Sequence, residues 1–391
     1  MKEAGHQPDD FMAGLGANER AILERVPTEG LRRFAASVVR TKMKLQFTGW
    51  LQYVIPLLPL ALLLAISGVA LLLGLSRVAG GIGIAAGALL AVVLFDLVTV
   101  KFRIRLPERR PPRNDHLSAF DLMRTRRSCR SFQTRLMSDD DRSALFASVQ
   151  RHVGASTIGA TPVRLEYIRE RLTVWPTVNG SEFLVAIVPL PYDREAVIDV
   201  GRTLQKVVMD ATRLGLGTCW IGPGADHESL KRHLGERFDP EREQIICTCA
   251  VGYRSLYAPL FVRVFSAMFR RRLTVSELFF SDAGLSTPID ITAPPYARLA
   301  RTFEACQWAP SSYNGQTTRA VVRTDGAGEV EGVDFCATTT SRYYAPVALG
   351  IWCANWELGC DALGLRGRFE PRPVPADQRA LPRYDITWRP Q

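Results

Sequence analysis

Between Leu45 and Ser76 the chain carries no charged residue, and beyond the single Arg77 a second uncharged run extends from Val78 to Phe95. The first run contains LLPLALLLAISGVALLLGL, and the second is rich in Gly, Ala, Leu and Val. About twenty apolar residues in a helix span a bilayer core. The first run exceeds that length with margin, and the second reaches it by continuing past Asp96 towards Val100. Soluble helices are rarely apolar on every side. Residues 45–100 are therefore expected to form a transmembrane helical hairpin whose link lies around Ser76–Gly81. A cleavable signal peptide is a poor alternative, because the polar stretch before the run is too long and the run itself too extended.

Basic residues set the expected topology. Arg40, Lys42 and Lys44 precede the hairpin, and Lys101, Arg103, Arg105, Arg109, Arg110 and Arg113 follow it. The positive-inside bias predicts a two-pass protein of the cytoplasmic (inner) membrane, with both termini and everything after the hairpin in the cytoplasm. Within residues 1–44, LRRFAASVVRTKMKL reads as a basic amphipathic helix. Pro107, Pro111 and Pro112 make residues 101–116 a stiff basic linker. The formal net charge of +10 is then largely explained by membrane lipid as partner, which argues against nucleic acid. Eight cysteines occur without a C-x-x-C pair, and only five histidines accompany them, so no metal-binding spacing appears. Such scattered cysteines fit buried thiols in a reducing compartment.

From about Leu117 helical and strand-like patterns alternate, which predicts an α+β domain. Helices are expected at LSAFDLMRTRRS, DDDRSALFASVQRH and IDVGRTLQKVVMDATRLGLG, and strands at SEFLVAIVPL and EQIICTCAVGY. A second, shorter round follows: helix YARLARTFEACQWA, strand TRAVVR, long helix YYAPVALGIWCANWELGCDALGLRG and strand RYDITW. VVMDATRLGLGTCW and ANWELGCDALGLRG each close an apolar helix on a leucine flanked by glycines, the trace of a weak internal repeat. The halves are placed at 117–288 and 289–391.

Three segments carry chemistry. Arg126–Phe132 reads RRSCRSF, and its arginines offer the forked, permanently charged donors suited to phosphate. Ala309–Gln316 reads APSSYNGQ, with hydroxyls, an amide and a glycine just after a helix. Gly215–Gly224 reads GLGTCWIGPG, whose glycine spacing does not match the dinucleotide fingerprint. Alone, the first has an ordinary reading as a solvated basic surface and the second as a helix terminator and turn.

In combination they resemble the nitroreductase family of FMN enzymes, with its R-R-S-x-R-x-F, A-P-S-x-x-N-x-Q-P-W and G-L-G-T-x-W-I-G motifs. The resemblance covers Leu117 to the C-terminus. It implies a nitroreductase-like fold, in which a central, mostly antiparallel sheet is wrapped by helices in two unequal pseudo-repeats. It further implies that Arg126, Arg127, Ser128 and Arg130 hold the FMN phosphate, ribityl chain and ring edge. Pro310, Ser311, Ser312 and Asn314 are implied to face the flavin from the other side, with Ile221 and Gly222 near the ring. Arg270 and Arg272, in FRRRLTVSEL, match a basic pair that binds phosphate in the family. The implied cycle is ping-pong: NAD(P)H as transient donor, FMN, then a small-molecule electron acceptor that is planar or quinone-like. No side chain is implied to act as acid, base or nucleophile.

Two departures qualify the likeness. Family members are ordinarily homodimers that build each site from two subunits. Here the first half's counterpart of APSSYNGQ, HVGASTIGATPVRLEYI, lacks the asparagine and the P-S pair, and the second half lacks an R-R-S-x-R. The losses are complementary, which suggests the fused, single-chain type of nitroreductase: a monomer with one FMN per chain. Thr317–Thr318 stand where the family has P-W. The competing reading is a non-catalytic membrane-tethered flavin-binding sensor or scaffold.

Overall fold

The computed structural model describes residues 23–24, 26–155, 157–222, 226–372 and 381–391. The first 22 residues of the amphipathic segment, and Pro223 and Gly224 of the glycine-rich stretch, lie outside the described residues. The chain divides into two compact units, residues 1–91 with 175–177, and residues 92–174 with 178–391.

In the first unit the basic segment is a helix, α1 (Glu29–Gln46), with Leu31, Phe34 and Val38 exposed on it. The two apolar runs form α2 (Leu57–Leu72) and α3 (Ser76–Asp96); the last residues of α3, from Val92, and the π-helical turn over Leu97–Lys101 that continues it belong to the second unit. Both helices are long and apolar enough to cross a membrane, and most of their residues are not covered by protein. Leu58, Leu62, Leu72 and Ile84 are 61–88% exposed, an arrangement that water penalises and lipid does not. The link is shorter and earlier than expected. Gly74, at φ +75°, donates to Leu71 O, and Leu75 donates to Ala70 O, the glycine-centred ending in which a left-handed residue satisfies the last carbonyls. Ser76–Gly81 therefore opens the second helix, and Arg77 sits in its first turn. Ser67 Oγ donates across the hairpin to Ala79 O at 2.9 Å.

In the second unit α4 (Ala119–Thr125) and α5 (Asp139–Val153) are each started by a serine, Ser118 and Ser138, that accepts an N–H of the first turn. Strands β1 (Arg164–Ile168) and β2 (Phe183–Pro189) precede the long helix α6 (Arg194–Arg213). After it come β3 (Leu216–Ile221), α7 (His227–Leu234) and β4 (Glu243–Tyr253), and the four strands form an antiparallel sheet in the order β1-β2-β4-β3. Helix α8 (Leu260–Met268) and the two-residue strand β5 (Phe279–Phe280) follow, then α9 (Ala300–Cys306), β6 (Thr318–Thr324), β7 (Val330–Ala337), α10 (Tyr344–Ala362), β8 (Gly367–Glu370) and β9 (Arg383–Pro390). The second sheet runs β5-β6-β7-β9-β8. The fold is α+β and its sheets are antiparallel but for one pair, as expected. The strands form two sheets: β1–β4 of the first round make one, and β6–β9 of the second round, joined by β5 from the end of the first, make the other.

The long helices of the two rounds, α6 and α10, cross at glycines. A Cβ on Gly201 would overlap the carbonyl oxygen of Val347, and one on Gly350 would overlap that of Ile198. Beside the crossing Arg202 and Lys206 share Glu357 at 2.8 and 2.7 Å, and Gln205 donates to Asn355 at 3.0 Å. The division at residue 288 is crossed by β5, which lies before it yet pairs in parallel with β6 (Phe279 opposite Ala320). The Phe279 ring packs on Phe303 at 4.7 Å and Trp352 at 5.2 Å. All eight cysteines are buried and free.

Residues 101–116 are not a free linker. Arg105 donates to Ser255 and to Phe132 O, both at 2.9 Å, and Glu108 accepts from Leu256 N at 2.6 Å. Asn114 N donates to Arg213 O at 2.7 Å. The prolines keep the segment extended, and polar groups before, between and after them fasten it to the domain.

Candidate functional site

The RRSCR segment leaves the end of α4 and runs alongside β3. Cys129 N donates to Thr218 O at 2.8 Å, and Ser128 pairs with Thr218 as an isolated parallel bridge. This arrangement turns Arg126 inward. Its side chain is 4% exposed, and its Nε and Nη1 have no hydrogen-bond partner among the described residues. Burial, and then the charges of Arg272 and Arg127, lower its pKa from 12.5 to about 10. Arg272 is likewise lowered to about 10, by burial and by Arg127. Arg127 is lowered by burial and by Arg270 and Arg124.

Four arginines thus converge from two segments far apart in sequence. None of Arg126, Arg127, Arg270 and Arg272 forms an ion pair among the described residues. Elsewhere in the domain arginines meet carboxylates, as in Arg194–Asp385, Arg202–Glu357 and Arg372–Asp334. A buried charge without a partner is costly, so the cluster has the character of an anion site.

The 309–316 loop holds the second arginine segment in place. Arg272 Nη1 donates to Ala309 O at 2.9 Å, Asn314 Nδ2 to Arg271 O at 2.7 Å, and Leu273 N to Gln316 Oε1 at 2.9 Å. Ser311 Oγ accepts from Gln316 N at 2.9 Å. Tyr313, Asn314 and Gln316 all have φ between +47° and +56°, a left-handed region costly for residues other than glycine and concentrated at functional loops. The loop forms although Thr317–Thr318 replace P-W, and Thr318 opens β6. Pro310 is buried, while Ser311 and Ser312 are partly exposed.

Not every expected residue points into the cluster. Arg130 Nη1 donates to Ser266 of α8 at 3.0 Å, and its guanidinium lies 5.7 Å from the Phe265 ring. Ile221 is buried at the end of β3, and Gly222 abuts the ring of Tyr344 at the start of α10. Burial, then Tyr344, raises the pKa of Tyr313. No motif in the sequence singles out Trp308, whose ring lies 5.0 Å from the Arg127 guanidinium and 5.9 Å from that of Arg124. Its only sequence signal was its place immediately before A-P-S-S. In the first half's counterpart loop, the N–H groups of Ile158 and Gly159 are taken by Asp199 at 2.8–3.0 Å, so a carboxylate of the chain itself occupies these donors.

Residues 118–360 match the family described as "Putative TM nitroreductase". The chain belongs to the nitroreductase family and is an oxidoreductase of that family. Among solved structures, a "putative nitroreductase" from Thermotoga maritima is 15% identical, with TM-score 0.43, over 73% of this chain and 96% of that one. A nitroreductase family protein from Clostridium novyi is 16% identical, with TM-score 0.30, over 36% and 87%. A "putative nitroreductase" in complex with FMN, from Desulfovibrio desulfuricans, is 16% identical, with TM-score 0.29, over 36% and 88%. The search of curated proteins found no match.

Proposed function

We propose that this chain is a membrane-anchored, FMN-dependent NAD(P)H oxidoreductase with one flavin site per chain. The observation that supports it most is the buried, unpartnered guanidinium of Arg126 beside Arg272 and Arg127. A phosphate monoester has the charge and oxygen geometry for such donors. Arg126, Arg127 and Arg272 would hold the FMN phosphate, with Arg270 adding charge at the rim. Ser128 and the Pro310–Asn314 loop would line the flavin from opposite sides, with Ile221 and Gly222 near the ring. FMN, when bound, supplies the hydride-accepting ring on which the family's chemistry depends.

The chain's own part is binding, orientation and exclusion of water. The 309–316 loop fixes Arg272 and so fixes where phosphate rests. Trp308 lies beside the exposed Arg127 and favours its charge through its ring face. Tyr344 and Tyr313 border the other end. No side chain is asked to move a proton in catalysis. The acceptor is a small planar or quinone-like molecule, and the two apolar helices keep the enzyme at the inner membrane with both termini in the cytoplasm.

The test is the colour of the purified full-length protein. The reading expects a yellow preparation whose flavin band bleaches when NADH or NADPH is added without oxygen, and returns with a quinone. A yellow protein that does not bleach makes it a flavin-binding sensor or scaffold. A protein that stays colourless after incubation with FMN overturns the site. A reporter fused to the C-terminus that lies outside the cytoplasm overturns the topology.

A further inference from the structure

Helix α8, LFVRVFSAM, has Arg263 as its only charge. A helix apolar on nearly every side belongs in a core or in lipid, yet of its residues only Val262 is buried. Val264 is 51% exposed, Met268 73%, Phe269 just beyond the helix 42%, and Leu256 in the approach 90%. One such side chain would need no explanation. Gathered on one short helix and its flanks, they describe a surface that water does not favour.

What covers this surface follows from where the helix begins. Asp96, the last residue of α3, is buried, and its Oδ2 accepts the N–H of Leu260 at 2.6 Å. The Phe95 ring lies 6.2 Å from Tyr257. The start of α8 is thus fastened to the end of the second apolar helix, which runs to Lys101. Asp96 precedes Lys101 by five residues, so the attachment lies about 7 Å inside the end of that helix. Interfacial helices settle with their apolar face about 5–10 Å into the boundary between headgroups and acyl chains. Arg263 and Arg271 are exposed on and just after α8, where they suit lipid phosphates.

We propose that α8 is a membrane-interface helix, seated with Val264, Met268 and Phe269 in the acyl boundary and its arginines among anionic headgroups. The occupant of this face is lipid. Ser266 on the same helix holds Arg130, so the helix places the RRSCR motif at the membrane surface. The inference rests on the reading that the hairpin spans the bilayer, and its test separates the two.

The full chain is reconstituted in vesicles of phosphatidylcholine and phosphatidylglycerol, some carrying nitroxide on the acyl chain. Because all eight native cysteines are buried, a bimane label can be placed selectively on Met268→Cys, on Ile84→Cys in the hairpin, or on Ala327→Cys in an exposed loop. The proposal expects the label at 268 to be quenched about twofold or more, better by shallow than by deep nitroxides, and the label at 327 to be unaffected. Quenching at 84 but not at 268 overturns the interfacial helix and leaves the hairpin standing. Quenching at neither overturns both. A label at 268 that ignores nitroxide lipids but self-quenches, and recovers on dilution of the protein, assigns the face to a second copy and overturns the proposal.

Discussion

Replacing Arg126 by methionine should change stability and flavin affinity in opposite directions. Without an anion, the guanidinium is a buried cation whose strongest charged neighbours are two further arginines, and its pKa falls from 12.5 to about 10. At ~1.4 kcal/mol per pH unit this drop corresponds to about 3 kcal/mol. The sign follows from linkage. The unfolded chain holds the proton more tightly, so the charged group destabilises the fold fully below about pH 10, and the penalty fades only as pH rises from there towards 12.5. At neutral pH the flavin-free variant should therefore melt higher than the wild type, by roughly 6–12 °C at about 2–4 °C per kcal/mol. Flavin affinity should fall, because a charge-assisted hydrogen bond is worth about 1.5–3 kcal/mol, or about 10-fold to over 100-fold in Kd. Thermal melts of flavin-free protein and fluorescence titrations with FMN measure the two effects. Arg109→Ala, on an exposed side chain, should change neither. A variant that melts lower and binds FMN as before would make Arg126 a structural strut and refute the reasoning.

Gly350→Val should destabilise the fold by more than about 3 kcal/mol in denaturant unfolding, because its side chain would press on the Ile198 carbonyl and force α6 from α10; an unchanged midpoint would mean that the crossing is loose. A chain beginning at Asp115 should melt below one beginning at Lys101, because it loses the hydrogen bonds of the buried Arg105 and Glu108 to Ser255, Phe132 and Leu256, each worth about 0.5–1.5 kcal/mol. Equal melting would show that their contacts add nothing. Co-expressed chains carrying Arg126→Ala and Asn314→Asp, each unable to bind FMN alone, should remain colourless together if the site lies within one chain. Recovery of flavin would show that halves pair between chains.

The features legible in the sequence are those written locally. The uncharged runs announce α2 and α3, and RRSCR and APSSYNGQ announce the two sides of the site. The hairpin link was placed too late because Ser76, Gly80 and Gly81 look like turn residues, whereas only Gly74 takes the left-handed conformation that ends α2. Strand β3 was hidden by Gly215 and Gly217, which blur its alternation. The sharing of β5 between rounds could not be read, since nothing in Phe279–Phe280 says that its partner lies forty residues ahead. The prolines before Asn114 suggested a spacer, and the burial of Arg105 just before them depends on Ser255 and Phe132, which are distant in sequence. Arg270 and Arg272 were found by resemblance, but that Arg272 would lie against Arg126 and Arg270 against Arg127, with no ion pair to a carboxylate among the described residues, is a property of the fold alone.

That arginine cluster is tested most directly by comparing FMN with riboflavin, which is the same ring and side chain without the phosphate. Titration of the flavin-free full-length chain with each ligand at neutral pH and moderate salt gives two dissociation constants. Two or more charge-assisted contacts to phosphate, each worth about 1.5–3 kcal/mol, predict FMN binding tighter by at least about 100-fold. Equal affinities for FMN and riboflavin would contradict the account, because they would mean that Arg126, Arg127 and Arg272 do not hold the phosphate.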